Sequence, residues 1–134
     1  MVAMSSMLAA SIRKSSSSTM VSPNSSTSVG GFASAATGIG LTLLPVFYAH
    51  GNFGGAAPSP GQRRFLCDID GFALLLDGAR AKLAGDANIG IAPHSLRAVG
   101  PEELAALLAM SPTGPVHIHA AEQVKEVEDC VAWS

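Results

Sequence analysis

The stretch Leu41-Thr42-Leu43-Leu44-Pro45-Val46-Phe47-Tyr48 decides the fold, because it is an almost continuous apolar run flanked by glycines. Such a run predicts a strand that is buried on both faces, as in a parallel sheet covered by helices. Pro45 argues against a regular ladder, since proline has no N–H to donate. The run is far shorter than the roughly 20 apolar residues of a membrane helix, so no transmembrane segment is predicted.

Downstream of this strand, helical and strand patterns alternate. After a Gly- and Pro-rich loop over residues 51–61, the predicted elements are a helix over 69–84 capped by Gly85, a strand over 89–92, a helix from Pro101, a buried strand over 116–119 and a helix over 123–132. In the last helix we expect Val124, Val127 and Val131 to face inward, with Lys125 and Asp129 on the outer face. The alternation implies parallel strands with crossover helices, so the predicted fold class is α/β.

The composition excludes some classes of function. The chain has 134 residues, enough for one ordinary domain, and it is 48% hydrophobic and 13% charged. Its formal net charge of −2 gives no strong attraction to nucleic acid or to an anionic membrane. Cys67 and Cys130 have neither metal-site nor redox spacing, and we expect both to be reduced core residues.

The two ends of the chain differ in composition. All ten acidic residues lie at or after Asp68, whereas residues 1–67 contain four basic residues. Residues 1–37 are Ser-rich and of low complexity, without persistent helical or strand periodicity, which predicts a disordered segment. An acid-free, weakly basic leader also has the composition of an organelle transit peptide, and a disordered extension or a mis-assembled first exon is the alternative. The remaining part, residues 38–134, is predicted to form the folded domain.

Chemically capable residues follow each predicted strand. In parallel α/β proteins the carboxyl ends of the strands carry the functional groups, and all four histidines of the chain lie at these ends. A functional site is therefore predicted at that edge of the sheet. The residues are Tyr48 and His50 after the first strand, His94, Ser95 and Arg97 after the second, and His119, Glu122 and Gln123 after the third.

Within this set, His119 and Glu122 have the spacing of a metal ligand beside a carboxylate that moves protons. The alternative for His119 is a hydrogen-bonded core histidine. Strand alternation places His117 on the same face, one pleat deeper, where a structural role is at least as well supported.

The second strand end offers groups for binding. Arg97 lies where its guanidinium could hold a carboxylate in bidentate fashion, and a surface arginine is the alternative. His94 could contact a substrate or merely cap its loop. Packing is the favoured role of Tyr48, and His50 carries little specific signal.

Two segments carry a resemblance to a known family. Ala92-Pro93-His94-Ser95-Leu96-Arg97-Ala98 and the stretch from Pro115 to Val127, which contains His-Ile-His-Ala-Ala-Glu-Gln, closely resemble the formimidoylglutamate deiminases of the amidohydrolase superfamily. The resemblance covers about residues 38–134. It implies about three units of a TIM (β/α)₈ barrel and a zinc cofactor. It also implies hydrolysis of the small molecule N-formimino-L-glutamate to N-formyl-L-glutamate and ammonia in histidine breakdown.

By this resemblance His119 is a zinc ligand, Glu122 is the catalytic proton carrier, and His94 and Arg97 bind substrate. The family is typically bacterial and cytoplasmic, with an organelle as the alternative if the Ser-rich leader is a transit peptide. The resemblance is also compatible with a homodimer of the full-length protein.

The chain also departs from the family pattern. It lacks the His-x-His pair of the first barrel strand and the later histidine and aspartate, whereas a catalytic zinc usually has three protein ligands and a water. We therefore expect an enzyme segment that is too incomplete to act alone, with poor zinc binding. The alternatives are another amidohydrolase, such as a guanine- or triazine-type deaminase, and a non-catalytic fragment or interaction module. The pair His94 and Arg97 favours a carboxylate substrate over a flat heterocycle.

Overall fold

A computed structural model describes residues 8–14 (backbone), 36–83 and 85–134. Its strands and helices are, in chain order, β1 Leu8–Lys14, β2 Ile39–Phe47, α1 Ile69–Arg80, β3 Asn88–Ile89, β4 Ala92–Pro93, α2 Pro101–Met110 and α3 Val124–Trp133. The described part of the chain is thus mixed α/β with a small sheet, in agreement with the predicted class. Within those ranges, no helix is long and apolar enough to cross a membrane.

Strand β2 is the centre of the sheet. It pairs in parallel with β3 and with β4, and its other edge pairs with β1 in antiparallel fashion. The side chains of Leu41, Leu43 and Leu44 on β2 are buried, which confirms the buried strand predicted from the apolar run. Because β2 lies between strands on both edges and its side chains are covered, it holds the rest of the fold in place.

Pro45 divides the parallel ladder into two parts. Thr42 and Leu43 pair with β3, and Val46 and Phe47 pair with β4, in the same register. The gap between the two pairings lies opposite Pro45, which is buried and has no N–H to donate. The single strand predicted over 89–92 is therefore two short strands, separated at Gly90–Ile91.

Strand β1 was not expected from the sequence. Residues Leu8 to Lys14 pair with β2 from Pro45 back to Ile39, so the prediction of no regular structure is wrong over this segment. Strand pairing needs only backbone N–H and C=O groups, and an open sheet edge can recruit a stretch without an amphipathic pattern. Residues 1–7 and 15–35 lie outside the described ranges, so the disorder predicted for them stays a prediction.

Helix α1 packs on the sheet through Phe72 and Leu76, which are fully buried. It begins where the Asp68 carboxylate accepts a hydrogen bond of 2.7 Å from the Gly71 N–H. The Phe72 ring meets the Phe47 ring edge-on, with centroids 5.5 Å apart. The helix ends at Arg80, so the predicted extension to residue 84 with Gly85 as its cap is wrong, and Ala81 closes the helix through backbone bonds.

Helix α2 begins at Pro101, as predicted. Its first turn is stabilised by Glu103, whose Oε2 accepts a hydrogen bond of 2.7 Å from the Gly100 N–H. Leu107 on α2 is fully buried and completes the core. The core cluster consists of Phe47, Tyr48, Phe72, Leu76, Ile91, Ala98, Val99 and Leu107.

Helix α3 forms where it was predicted but presents the opposite face. Val124 and Val131 are 76% and 72% exposed, whereas Glu126 is 7% exposed. The prediction that the valines face inward is therefore wrong. The ion pair between Lys125 and Asp129 does form on the outer surface, at 2.7 Å.

Candidate active site

The segment that carries His117 and His119 lies at the edge of the sheet. It joins the second strand region through two isolated parallel bridges, Ile91 to Val116 and Ser95 to His119, and not through a continuous ladder. The backbone N–H of His119 donates to the His94 carbonyl at 3.0 Å. Both histidines are exposed, so the prediction of a buried strand here is wrong, although the bridges are parallel, as predicted.

The three predicted strand ends meet in a row of rings. The Tyr48 and His94 centroids are 4.7 Å apart, and those of His94 and His119 are 5.2 Å apart, both in edge-to-face arrangement. His94 Nδ1 lies 3.1 Å from the hydroxyl oxygen of Ser95, which is fully buried. The strand order therefore brings the candidate substrate-binding His94 beside the candidate metal ligand His119.

This environment changes the protonation of His94. Burial lowers the pKa of His94 below its ordinary value, and the nearby His119 and Arg97 lower it further, against the opposing effect of Glu122 and Glu126. Neutral imidazole is therefore favoured, and one of its ring nitrogens can accept a hydrogen bond.

Arg97 lies within a network of two carboxylates. Its Nη2 is 3.4 Å from Oε2 of Glu122, and its Nε is 3.5 Å from Oε1 of Glu126. The Nε contact is an ion pair without hydrogen-bond geometry. The Arg97 side chain is only 24% exposed, so these charges interact in a partly desolvated setting. The candidate substrate-binding arginine and the candidate proton carrier are thus neighbours.

Sequence reasoning missed Glu126. Its Oε2 accepts a hydrogen bond of 3.0 Å from the Glu122 N–H, while its Oε1 faces Arg97. The available signal was the spacing Glu122-x-x-x-Glu126 at a helix start, where carboxylates often bind free N–H groups. The valine stripe of α3 outweighed this signal and gave the wrong inward face.

The remaining candidates have structural partners. The Tyr48 hydroxyl accepts a hydrogen bond of 2.7 Å from Gln62 Nε2, and its ring is buried, consistent with the favoured packing role. His50 Nε2 lies 2.9 Å from Glu103 Oε2, which connects the loop after β2 to the start of α2. Both contacts involve the loop after β2, which begins at Tyr48, whose ring packs against that of His94.

A small open groove lies on one side of Arg97. Its volume is about 260 Å³, close to the lower limit of about 300 Å³ for ordinary ligand pockets. Its wall includes Trp133, whose ring stacks on Phe53 with centroids 5.6 Å apart. The other lining residues are His50, Gly54, Gly55, Leu96, Val99, Gly100 and Pro101.

The described residues do not form a complete metal centre. No group of three or more His, Cys, Asp or Glu side chains in residues 36–83 and 85–134 is arranged to hold a metal ion. The two cysteines there are free thiols of intermediate burial. His119 is a suitable single ligand by chemistry, but one imidazole does not make a catalytic zinc site.

Comparison with solved structures indicates the class of protein. A crystal structure of an amidohydrolase from Brucella melitensis superimposes with a TM-score of 0.74 and 59% sequence identity, over 78% of this chain and 24% of that chain. The fold of this chain is thus similar to part of an amidohydrolase. No protein-family model matches the chain.

The sequence comparison is more particular. Formimidoylglutamate deiminase from Pseudomonas aeruginosa is 53% identical over 104 residues, which is 76% of this chain and 23% of that protein. The family resemblance predicted from the two site segments is confirmed. The chain spans about a quarter of the length of both relatives.

Proposed function

We propose that this chain is a segment of a zinc-dependent amidohydrolase of the formimidoylglutamate deiminase type. The proposed reaction is the hydrolysis of N-formimino-L-glutamate to N-formyl-L-glutamate and ammonia, a step of histidine breakdown in the cytoplasm. The observation that carries the proposal is the 53% identity to a formimidoylglutamate deiminase, together with the grouping of His94, Arg97, His119 and Glu122 at one end of the sheet.

The proposed architecture is about three β/α units of a TIM barrel. In such a barrel the loops at the carboxyl ends of the strands form the active site. The ring of His94, just after β4, lies 5.2 Å from that of His119 in the segment bridged beside it, which supports this architecture. Additional ligands are needed to complete a zinc centre, since His119 is one ligand and a catalytic zinc usually has three from the protein.

Each of the four residues has a proposed role. His119 would hold the metal through its imidazole, and Glu122 would carry protons between water and the leaving nitrogen. Arg97 would bind a carboxylate of the glutamate part, because its planar guanidinium matches a carboxylate in two parallel hydrogen bonds. His94, mostly neutral, would contact the substrate between them.

The experiment uses a full-length protein that contains this segment, with ammonia release from formiminoglutamate as the assay. Replacing Arg97 by Ala should raise KM by about 10- to 100-fold and change kcat less, as expected when a charged hydrogen bond to the substrate is lost. Arg80→Ala is the matched control, because Arg80 pairs with Asp77 on α1. An unchanged KM for the Arg97 variant would count against the proposed role.

The same preparation separates the alternatives. Turnover of guanine or a triazine in place of formiminoglutamate would identify a different amidohydrolase. For the 134-residue chain by itself we propose weak zinc binding and no deiminase activity. Stoichiometric zinc in the purified chain, with ammonia release, would overturn that part. A thermal melt by circular dichroism tests the non-catalytic alternative, since a stable module melts cooperatively.

A further inference from the structure

Glu126 is a buried carboxylate on a helix that otherwise presents its valines to solvent. It lies in the first turn of α3 and is 7% exposed, while Val124 on the same turn is exposed. Burial of a carboxylate is costly unless the charge is paired and hydrogen-bonded. Glu126 therefore faces the interior, and the partners of its carboxylate explain this orientation of α3.

The two carboxylate oxygens of Glu126 have different partners. Oε2 accepts a hydrogen bond of 3.0 Å from the Glu122 N–H, and Oε1 is 3.5 Å from Arg97 Nε. Arg97 Nη2 in turn reaches Oε2 of Glu122 at 3.4 Å. The buried Glu126 carboxylate thus contacts two residues of the proposed site. One is Arg97, the proposed substrate-binding residue, and the other is Glu122, the proposed proton carrier, which it contacts at the backbone.

The Glu126 charge attracts the guanidinium from its Nε edge, through an ion pair that lacks hydrogen-bond geometry. A guanidinium is planar, so a partner on the Nε edge orients the terminal nitrogens as well. Those terminal nitrogens are the ones that can form two parallel bonds to a substrate carboxylate. The bond to the Glu122 N–H meanwhile holds the loop before α3, and with it the starting point of the Glu122 side chain.

We propose that Glu126 is a positioning residue that holds Arg97 and Glu122 in a fixed mutual arrangement. It contacts neither substrate nor metal and acts through these two residues. The expected changes in KM and kcat rest on the proposed function. The expected arrangement of Arg97 and Glu122 depends only on this chain.

The kinetic experiment uses the full-length protein with the variants Glu126→Gln and Glu126→Ala. Glutamine retains an oxygen for the Glu122 N–H but removes the charge that faces Arg97. Glu126→Gln should therefore raise KM about tenfold and leave kcat within about twofold, whereas Glu126→Ala should raise KM and also lower kcat at least about tenfold. Glu128→Gln is the control, since Glu128 is an exposed residue of the same helix.

A purely structural role would lower stability without this split between KM and kcat. Kinetics of both Glu126 variants equal to those of Glu128→Gln, in a parent that deaminates formiminoglutamate, would overturn the proposal. Absence of turnover in the parent would instead refute the proposed function.

The structural consequence is measured separately by ¹⁵N NMR on the 134-residue chain. Glu126→Ala should move the Glu122 amide and Arg97 Nε–H resonances, and Glu128→Gln should leave both in place. Unchanged Glu122 and Arg97 resonances in Glu126→Ala would refute the positioning role, whatever the activity.

Discussion

Replacing Gly90 by alanine should destabilise the chain through a steric clash. Gly90 is buried in the gap between β3 and β4, where the segment before His117 runs alongside the sheet edge. An added Cβ would meet the Pro115 carbonyl oxygen closer than van der Waals contact allows, and would lie 2.9 Å from Leu44 Cδ2. The Pro115 oxygen is part of the backbone and accepts a hydrogen bond of 3.0 Å from the Ile91 N–H, so it cannot move freely.

The magnitude follows from overpacking. Forcing a methyl group into a filled site costs about 1–3 kcal/mol, and the rigid backbone neighbour favours the upper part of that range. Gly78→Ala is the matched control, because Gly78 lies within α1 and a Cβ there would meet nothing within 4 Å. Alanine in a helix interior is favoured over glycine by about 0.5–1 kcal/mol, so this variant should be stabilised.

The assay is urea unfolding of both variants and the parent, followed by circular dichroism at 222 nm, a standard helix wavelength, with thermal melts alongside. A change of about 1 kcal/mol shifts Tm by roughly 4–8 °C in a domain of about 100 residues. The two variants should therefore shift in opposite directions from the parent. A Gly90→Ala chain as stable as Gly78→Ala would refute the steric reasoning.

Further predictions concern the start of α1 and the ring row. Asp68→Ala should lower the free energy of unfolding by about 1 kcal/mol, because it removes the cap on Gly71, and thermal melts measure it. Asp68→Asn should keep the cap but make Cys67 react faster with iodoacetamide. Burial and then the Asp68 charge raise the pKa of the Cys67 thiol, and the variant removes that charge. An unchanged alkylation rate would contradict this. Because the pKa of His94 is lowered by burial and then by His119, the unfolded chain binds more protons, so stability should fall as pH drops below about 6.5. Urea midpoints between about pH 5 and pH 7.5 should show this slope in the parent and a flatter one in His94→Gln.

The parts of the fold that were predictable depend on local patterns. The buried strand ending at Phe47 and the helix start at Pro101 follow from apolar runs and capping residues that lie next to each other in the sequence. The end of α1 was not predictable in this way. Glycine is common just after a helix end, which made Gly85 the predicted cap. Backbone hydrogen bonds at Ala81 instead close the helix about one turn earlier.

The features that were missed depend on partners distant in sequence. Strand β1 forms by backbone pairing with β2, and the order of apolar and polar residues in it does not predict a strand. The inward face of α3 is set by Arg97, which pairs with Glu126 from a position 29 residues earlier in the chain. For the site, the rule that parallel strands end at one edge predicted a common edge for His94 and His119, and their rings are 5.2 Å apart. The contact of Glu126 with Arg97 could be found only from the folded geometry.

We expect Pro45 to divide the parallel edge of the sheet into two units that open separately. The ladder with β3 and the ladder with β4 are hydrogen-bonded separately on either side of the proline, so neither directly reinforces the other along this edge. Local opening of the β4 ladder, which would release the strand leading into His94, leaves the pairing of Thr42 and Leu43 intact. Amide hydrogen exchange at His94, whose N–H donates to the Phe47 carbonyl, should thus report on the mobility of the candidate site. Exchange at Gly90, whose N–H donates to the Leu43 carbonyl, should report on the stability of the scaffold.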